Sequence, residues 1–254
     1  MLVRRYKNFD ELFKKLVVEI LTNTEEVMEY STGISGYIDN MILFSDSWDC
    51  NLDLSKFGYT KDKWQKLLNT YVDYESLLLF RDKIKNLSGL SYTYYFKQKK
   101  VHNGSCMIAI VLSRESRKLN WSKVNVIYRT TEIQRRFAAD LALVYNFINE
   151  LPKECCDIKQ VSFYMPQSFI SAQIINGYFD YFGVPRDSIN YDHPWTRALQ
   201  LSYKRAFVDR NKLSKFKQLC RMQKLSFGMA KYEPLKTKEL GIDKYFQGKG
   251  KRKR

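Results

Sequence analysis

Between Met107 and Tyr164 the sequence passes from strand-type runs to helical spacing and back, and that order leaves few architectures open. Met107 to Leu112 is an unbroken apolar run, which predicts a buried strand. Val124 to Tyr128 is mostly apolar and β-branched, with Asn125 its only polar member, and predicts a second strand. From Ile133 to Leu151, Phe137, Leu141, Val144, Tyr145 and Ile148 recur at helical intervals, and Pro152 follows the end. Lys159 to Tyr164 then predicts another strand. Strand, strand, helix, strand makes this a mixed α/β body.

The flanking sequence extends that body. Leu12, Phe13, Leu16, Val17 and Ile20 place a helix over Phe9 to Leu21. Gly33 and Gly36 suggest a turn ahead of a strand from Tyr37 to Phe44. Trp48 to Tyr59 reads as loop. Lys63 to Asn86 predicts a helix broken near Asp73, and Tyr92 to Phe96 a strand. Ser168 to Phe182 is expected to be helical, closed by Gly183. After Pro194 the pattern becomes a basic helix with Leu199, Phe207, Leu213, Phe216, Leu219 and Cys220 on its apolar side. The expected organisation is a body over 1–196, a basic helical extension over 197–246 and a flexible basic tail over 247–254. No internal repeat is visible.

At 254 residues and 44% hydrophobic, the chain can bury one large core or two small ones. No run approaches a membrane-spanning length, and the first residues lack a signal-peptide core, so no membrane partner is expected. Five cysteines without metal-type spacing suggest a reduced, cytoplasmic protein. Cys155 and Cys156 are adjacent, which would strain a bond between them. With His102 and His193 the only histidines, no metal is expected.

Charge is concentrated at one end. From Arg197 to Arg254 there are 18 Lys or Arg against 4 Asp or Glu, a net of +14 out of +16 for the whole chain. A field confined in this way suits a polyanion. Candidate phosphate contacts are Lys204, Arg205, Arg210, Lys212, Lys215, Lys217, Arg221, Lys224, Lys249, Lys251, Arg252, Lys253 and Arg254. Tyr203, Phe207, Phe216, Phe227 and Tyr232 are interleaved with them and offer rings for stacking on unpaired bases, which favours RNA or single strands. Lys97, Lys99, Lys100, Arg114, Arg117 and Lys118 form a second basic cluster beside the strand that begins at Met107.

Gly104-Ser-Cys106 directly precedes that strand. The next strand ends on Arg129, within Tyr128-Arg-Thr-Thr-Glu-Ile-Gln-Arg-Arg-Phe-Ala-Ala-Asp140. Over roughly residues 8–185 this order resembles the thymidylate synthase superfamily, including the deoxynucleotide hydroxymethylases of bacteriophages. The resemblance implies a thymidylate-synthase-like mixed sheet with flanking helices, a two-fold homodimer, and a viral protein acting in a bacterial cytoplasm. It implies Cys106 as nucleophile at carbon 6 of a pyrimidine and Glu75 as manager of protons through water. Arg129 would hold phosphate, and Asp140 would favour cytosine by accepting from its exocyclic amine. Methylenetetrahydrofolate would be the one-carbon donor.

The chain departs from the family pattern at its ligand contacts. Ser105 and Met107 flank the cysteine where the family has Pro and His. No arginine stands in Tyr30-Ser-Thr-Gly33, and Lys99-Lys100 stands where paired arginines are expected. Phe169 and Ser171 replace the sugar-gripping His and Tyr. Each lost charge-assisted bond weakens binding by about 1.5–3 kcal/mol. Three functions follow: a nucleic-acid-binding protein on a catalytically degenerate scaffold, needing no cofactor; a folate-dependent pyrimidine deoxynucleotide hydroxymethylase or methylase; or a scaffold or shell-associated component binding an acidic protein partner.

Overall fold

A computed structural model describes residues 1–23, 27–30, 33–97, 106–133, 136–171 and 233–246. One mixed sheet organises them. Its strands are β1 (Leu2–Tyr6), β2 (Val27–Tyr30), β3 (Gly33–Ser45), β4 (Ser91–Tyr95), β5 (Met107–Ser113), β6 (Trp121–Tyr128), β7 (Thr131–Glu132) and β8 (Cys156–Ser171). The main order is β1-β3-β8-β6-β5-β4, with β2 added to β3 and β7 to β8. β1 runs parallel to β3, and β8 parallel to β6 and β7, while the remaining pairs are antiparallel.

The helices are α1 (Phe9–Asn23), α2 (Lys61–Tyr71), α3 (Tyr74–Asn86), α4 (Arg136–Asn149) and the short α5 (Ile242–Phe246). The break near Asp73 is real and has a local cause. Asp73 accepts from the Ser76 backbone N–H and so caps α3, while α2 has ended at Tyr71. Between β6 and β8 the chain crosses through α4, as a parallel pair requires. Phe137, Leu141, Val144 and Ile148 are buried and Tyr145 is half-buried, but Ala138, Ala139, Ala142, Leu143, Asn146 and Phe147 are buried as well, so α4 lies within the core rather than presenting one face to it.

That core is rich in aromatic rings packed edge to face or tilted. Phe9, Phe137 and Tyr128 surround Phe163 of β8, while Phe80, Tyr94 and Phe147 meet on the α3 side. Met41, Leu43, Val124, Val126, Val161, Phe163 and Met165 point into it from the sheet. Their strand neighbours Ile42, Asn125, Ser162 and Tyr164 stand on the other, partly exposed face.

Several expectations need correction. Ser168 to Ser171 belong to β8, not to a helix, because the β3 ladder continues through Ile38↔Ser168 to Ser35↔Ser171. The remainder of the expected helix, 172–182, lies outside the described residues. Gly33 and Gly36 lie within β3, paired with Tyr30 and Val27 of a hairpin. The helix expected from Ile133 begins at Arg136, since Thr131 and Glu132 form β7. Trp48 to Tyr59 contains a buried 3₁₀ turn, Leu54–Phe57, capped by Asp53 and closed by Gly58 at φ 77°. β1 and β2 have no counterpart in the sequence reading.

Residues 233–246, expected in the extension, pack into the body. The backbones of Asp53 and Lys236 form an isolated antiparallel β-bridge, Leu54 N–H donates to the Leu235 carbonyl, and Thr237 donates to the Leu52 carbonyl from both its backbone N–H and its hydroxyl. Leu235, Leu240, Ile242 and Phe246 are buried, and Phe246 stacks on Tyr74. Arg81 donates to Asp243 at 3.1 Å and also pairs with Glu150, whose Oε1 accepts the Ile242 and Asp243 N–H groups. Glu150 is pushed above its ordinary value, by burial first and then by Asp243.

Candidate functional site

Cys106 closes the N-terminal end of β5, and its carbonyl accepts from Arg129 N–H at 2.9 Å across the β5–β6 ladder. Its own N–H donates to Tyr71 Oη at 3.1 Å, so the last residue of α2 holds the backbone at the strand entrance. Arg136, at the start of α4, places Nη1 3.9 Å from the Cys106 sulfur. Arg136 also pairs through Nε with Glu132 at 3.5 Å. One turn further along α4, Asp140 lies beneath this layer, only 1% exposed.

The cluster is polar and largely buried. Tyr128 Oη is buried without a hydrogen-bond partner among the described residues, while Thr131 Oγ1 and both Asp140 oxygens are buried together without a well-formed hydrogen bond, the hydroxyl standing near enough to favour the carboxylate. A buried polar group left without a partner costs about 1–3 kcal/mol. Burial pushes the Asp140 carboxyl up to about 7, against the opposing pull of the Arg136 cation and the Thr131 hydroxyl. Near neutral pH the group therefore exists in both forms, able to donate a proton or only to accept one. Burial also raises the Cys106 thiol; Asp140 adds to that shift and Arg136 opposes it. Tyr71 and Tyr128 are raised by burial too, with Asp140 the next cause for each.

Of the residues singled out in the sequence, Cys106 and Asp140 come together. Arg129 joins through its backbone while its side chain is exposed, and Arg136 supplies the cation near sulfur instead. Glu75 is exposed in the first turn of α3 and has no described hydrogen bond or ion pair to the cluster. Tyr71, Tyr128, Thr131 and Arg136 were not anticipated. The signal for Arg136 was present, because it stands four residues before Asp140 and shares its helix face.

The thirteen candidate phosphate contacts from Lys204 to Arg254 lie outside the described residues, as do Lys99 and Lys100. Arg114 of the second basic cluster is committed elsewhere. It donates to the Gly89, Leu87 and Leu119 carbonyls and its guanidinium lies 4.3 Å from the Trp121 ring centroid. Among the described residues no cluster of three or more His, Cys, Asp or Glu is placed to hold a metal, and no helix is long and apolar enough to cross a membrane. No family model matches the chain, and no curated protein matches it either.

Proposed function

We propose that the protein binds nucleic acid, RNA or single-stranded DNA, through cationic segments on either side of its docked C-terminal piece. The observation that carries this is the partition of charge. Residues 233–246, which pack into the body, hold 3 basic and 3 acidic side chains. Residues 197–232 hold 10 basic against 1 acidic, and 247–254 hold 5 against none. The docked piece is neutral and the surplus lies in its neighbours, which include Lys204 to Lys224 and Lys249 to Arg254. Phosphate contacts from such segments give affinity that falls steeply with salt and carries little sequence preference.

The test is a titration of the full chain with labelled single-stranded RNA and DNA at rising salt. Beside it runs a variant in which Lys204, Arg205, Arg210, Lys212, Lys215 and Lys217 are replaced by Gln. Deleting 197–254 outright is unsuitable, because it removes Leu235, Leu240, Ile242 and Phe246 from the core. The reading requires weaker binding by the variant and a shallower salt slope. Equal affinity and equal slope would refute it.

A second reading, a pyrimidine deoxynucleotide hydroxymethylase or methylase, is favoured by the meeting of Cys106 with Asp140. A thiol, a carboxyl that titrates near neutrality, two phenols and a hydroxyl suit the edge of a pyrimidine ring. Arg136 would stabilise the Cys106 thiolate for attack on carbon 6. Methylenetetrahydrofolate would supply the one-carbon unit, and nothing in the described cluster is specific to a folate. This reading requires tritium release from carbon 5 of dCMP or dUMP, abolished by Cys106→Ala. Wild-type protein that releases none would exclude it.

A further inference from the structure

At the far end of α4 from the Asp140 cluster, two thiols face each other. Cys155 Sγ and Cys156 Sγ are 3.7 Å apart. Successive side chains of an extended strand point to opposite faces, so this approach needs a local cause. The turn after α4 provides it. Both the Cys155 and Cys156 N–H groups donate to the Pro152 carbonyl, at 3.3 and 3.0 Å, and the Cys155 thiol is 3.6 Å from the same oxygen. β8 begins only at Cys156. Among the four cysteines described, Cys50 and Cys106 are buried whereas these two are partly exposed. Cys156 also lines a cavity of about 260 Å³ shared with Trp48, Leu151, Lys153, Asp157 and Ile158.

We propose that Cys155 and Cys156 form a chelating dithiol site for a soft thiophilic centre with two open valences, of the trivalent arsenical class. A direct disulfide fits the pair poorly. Adjacent Cα atoms lie about 3.8 Å apart, below the roughly 4.4–6.8 Å that ordinary disulfides span, and the S–S bond is only about 2.05 Å. A single bridging atom bonds to both sulfurs while leaving them separated, close to where they stand. Burial and the neighbouring Cys155 raise the Cys156 thiol, which keeps it protonated at neutral pH and makes it a poor disulfide exchanger. Condensation with an arsenoxide does not change any oxidation state. Two S–H bonds and the arsenic–oxygen bond break, two As–S bonds form, and the oxygen leaves with both protons as water. The organic group on arsenic would enter the cavity beside Trp48.

Phenylarsine oxide is the probe, added to reduced full-length protein and followed by native mass spectrometry and Trp fluorescence. The expected result is one equivalent bound with a change in Trp48 emission, resistant to excess monothiol and removed by a small dithiol. Cys155→Ser and Cys156→Ser should each raise the dissociation constant about 100-fold or more, because each converts a chelate into a single bond. Cys106→Ala and Cys220→Ser should leave binding intact, and Trp48→Phe should keep the adduct while losing the emission change. Failure of folded wild-type protein to retain the arsenical would overturn the proposal. Retention with undiminished affinity by both serine variants would do so as well.

Discussion

Asp140 shows how one buried side chain sets a pH dependence. Its folded value of about 7 lies above the ordinary 3.8, so the folded protein binds the proton more tightly than the unfolded chain does. Stability from this group is therefore greatest in acid and declines from pH 4 to pH 7, after which the loss is complete. That difference corresponds to something on the order of 4 kcal/mol. Asp140→Asn removes the ionisable group. Its advantage over wild type, measured by urea unfolding, should grow across that interval and level off above it. Tyr71 offers a second test. Tyr71→Phe leaves the buried Cys106 N–H without its acceptor and should cost about 1–3 kcal/mol in the same assay. Cys106, buried and raised, should be alkylated slowly by iodoacetamide at neutral pH, and faster in the Tyr71 variant.

At the level of elements, the docked segment depends on few groups. Arg81, Glu150 and Asp243 form a partly buried triad with side-chain exposures of 13%, 17% and 40%. Arg81→Ala would leave two carboxylates facing each other and should destabilise by about 3 kcal/mol, with faster proteolysis between 233 and 246 as the direct readout. Elements with strong periodicity were legible in the sequence: α1, the α2–α3 break, β5, β6 and α4 all occur where spacing expects them, with ends that shift, as in α4, which starts at Arg136 rather than Ile133. The misses have physical causes. β1 is Leu-Val-Arg-Arg-Tyr, an edge strand whose exposed middle carries charge rather than alternation. Ser168-Phe-Ile-Ser171 suits helix or strand locally, and only pairing with β3 decides it. Two of the six side chains of the candidate site were readable, because Cys106 and Asp140 sit at an element's edge and on a helix face. Tyr71 was not, since it reaches the cluster from α2, an element distant in sequence, and Thr131, though it stands in the same stretch as Asp140, carries no sequence signal that its hydroxyl is buried.

For the whole molecule, the segregation of charge predicts behaviour in salt. Residues 247–254 contribute five cations and follow directly on α5. Deleting only those eight residues should spare the core and leave the urea midpoint unchanged. For a single strand it should reduce the slope of log affinity against log salt by up to about 3.5, if all five contact phosphate. A slope unchanged by that deletion would place the binding charge in 197–232.

The bonds from Leu52 and Leu54 to Thr237 and Leu235 join residues more than 180 positions apart. On a ribosome that emits the N-terminus first, the sheet and its helices would emerge long before the piece that seals them. The nascent body must then wait with part of its apolar interior uncovered, and a chain stalled before residue 233 should be a substrate for chaperones rather than a finished protein.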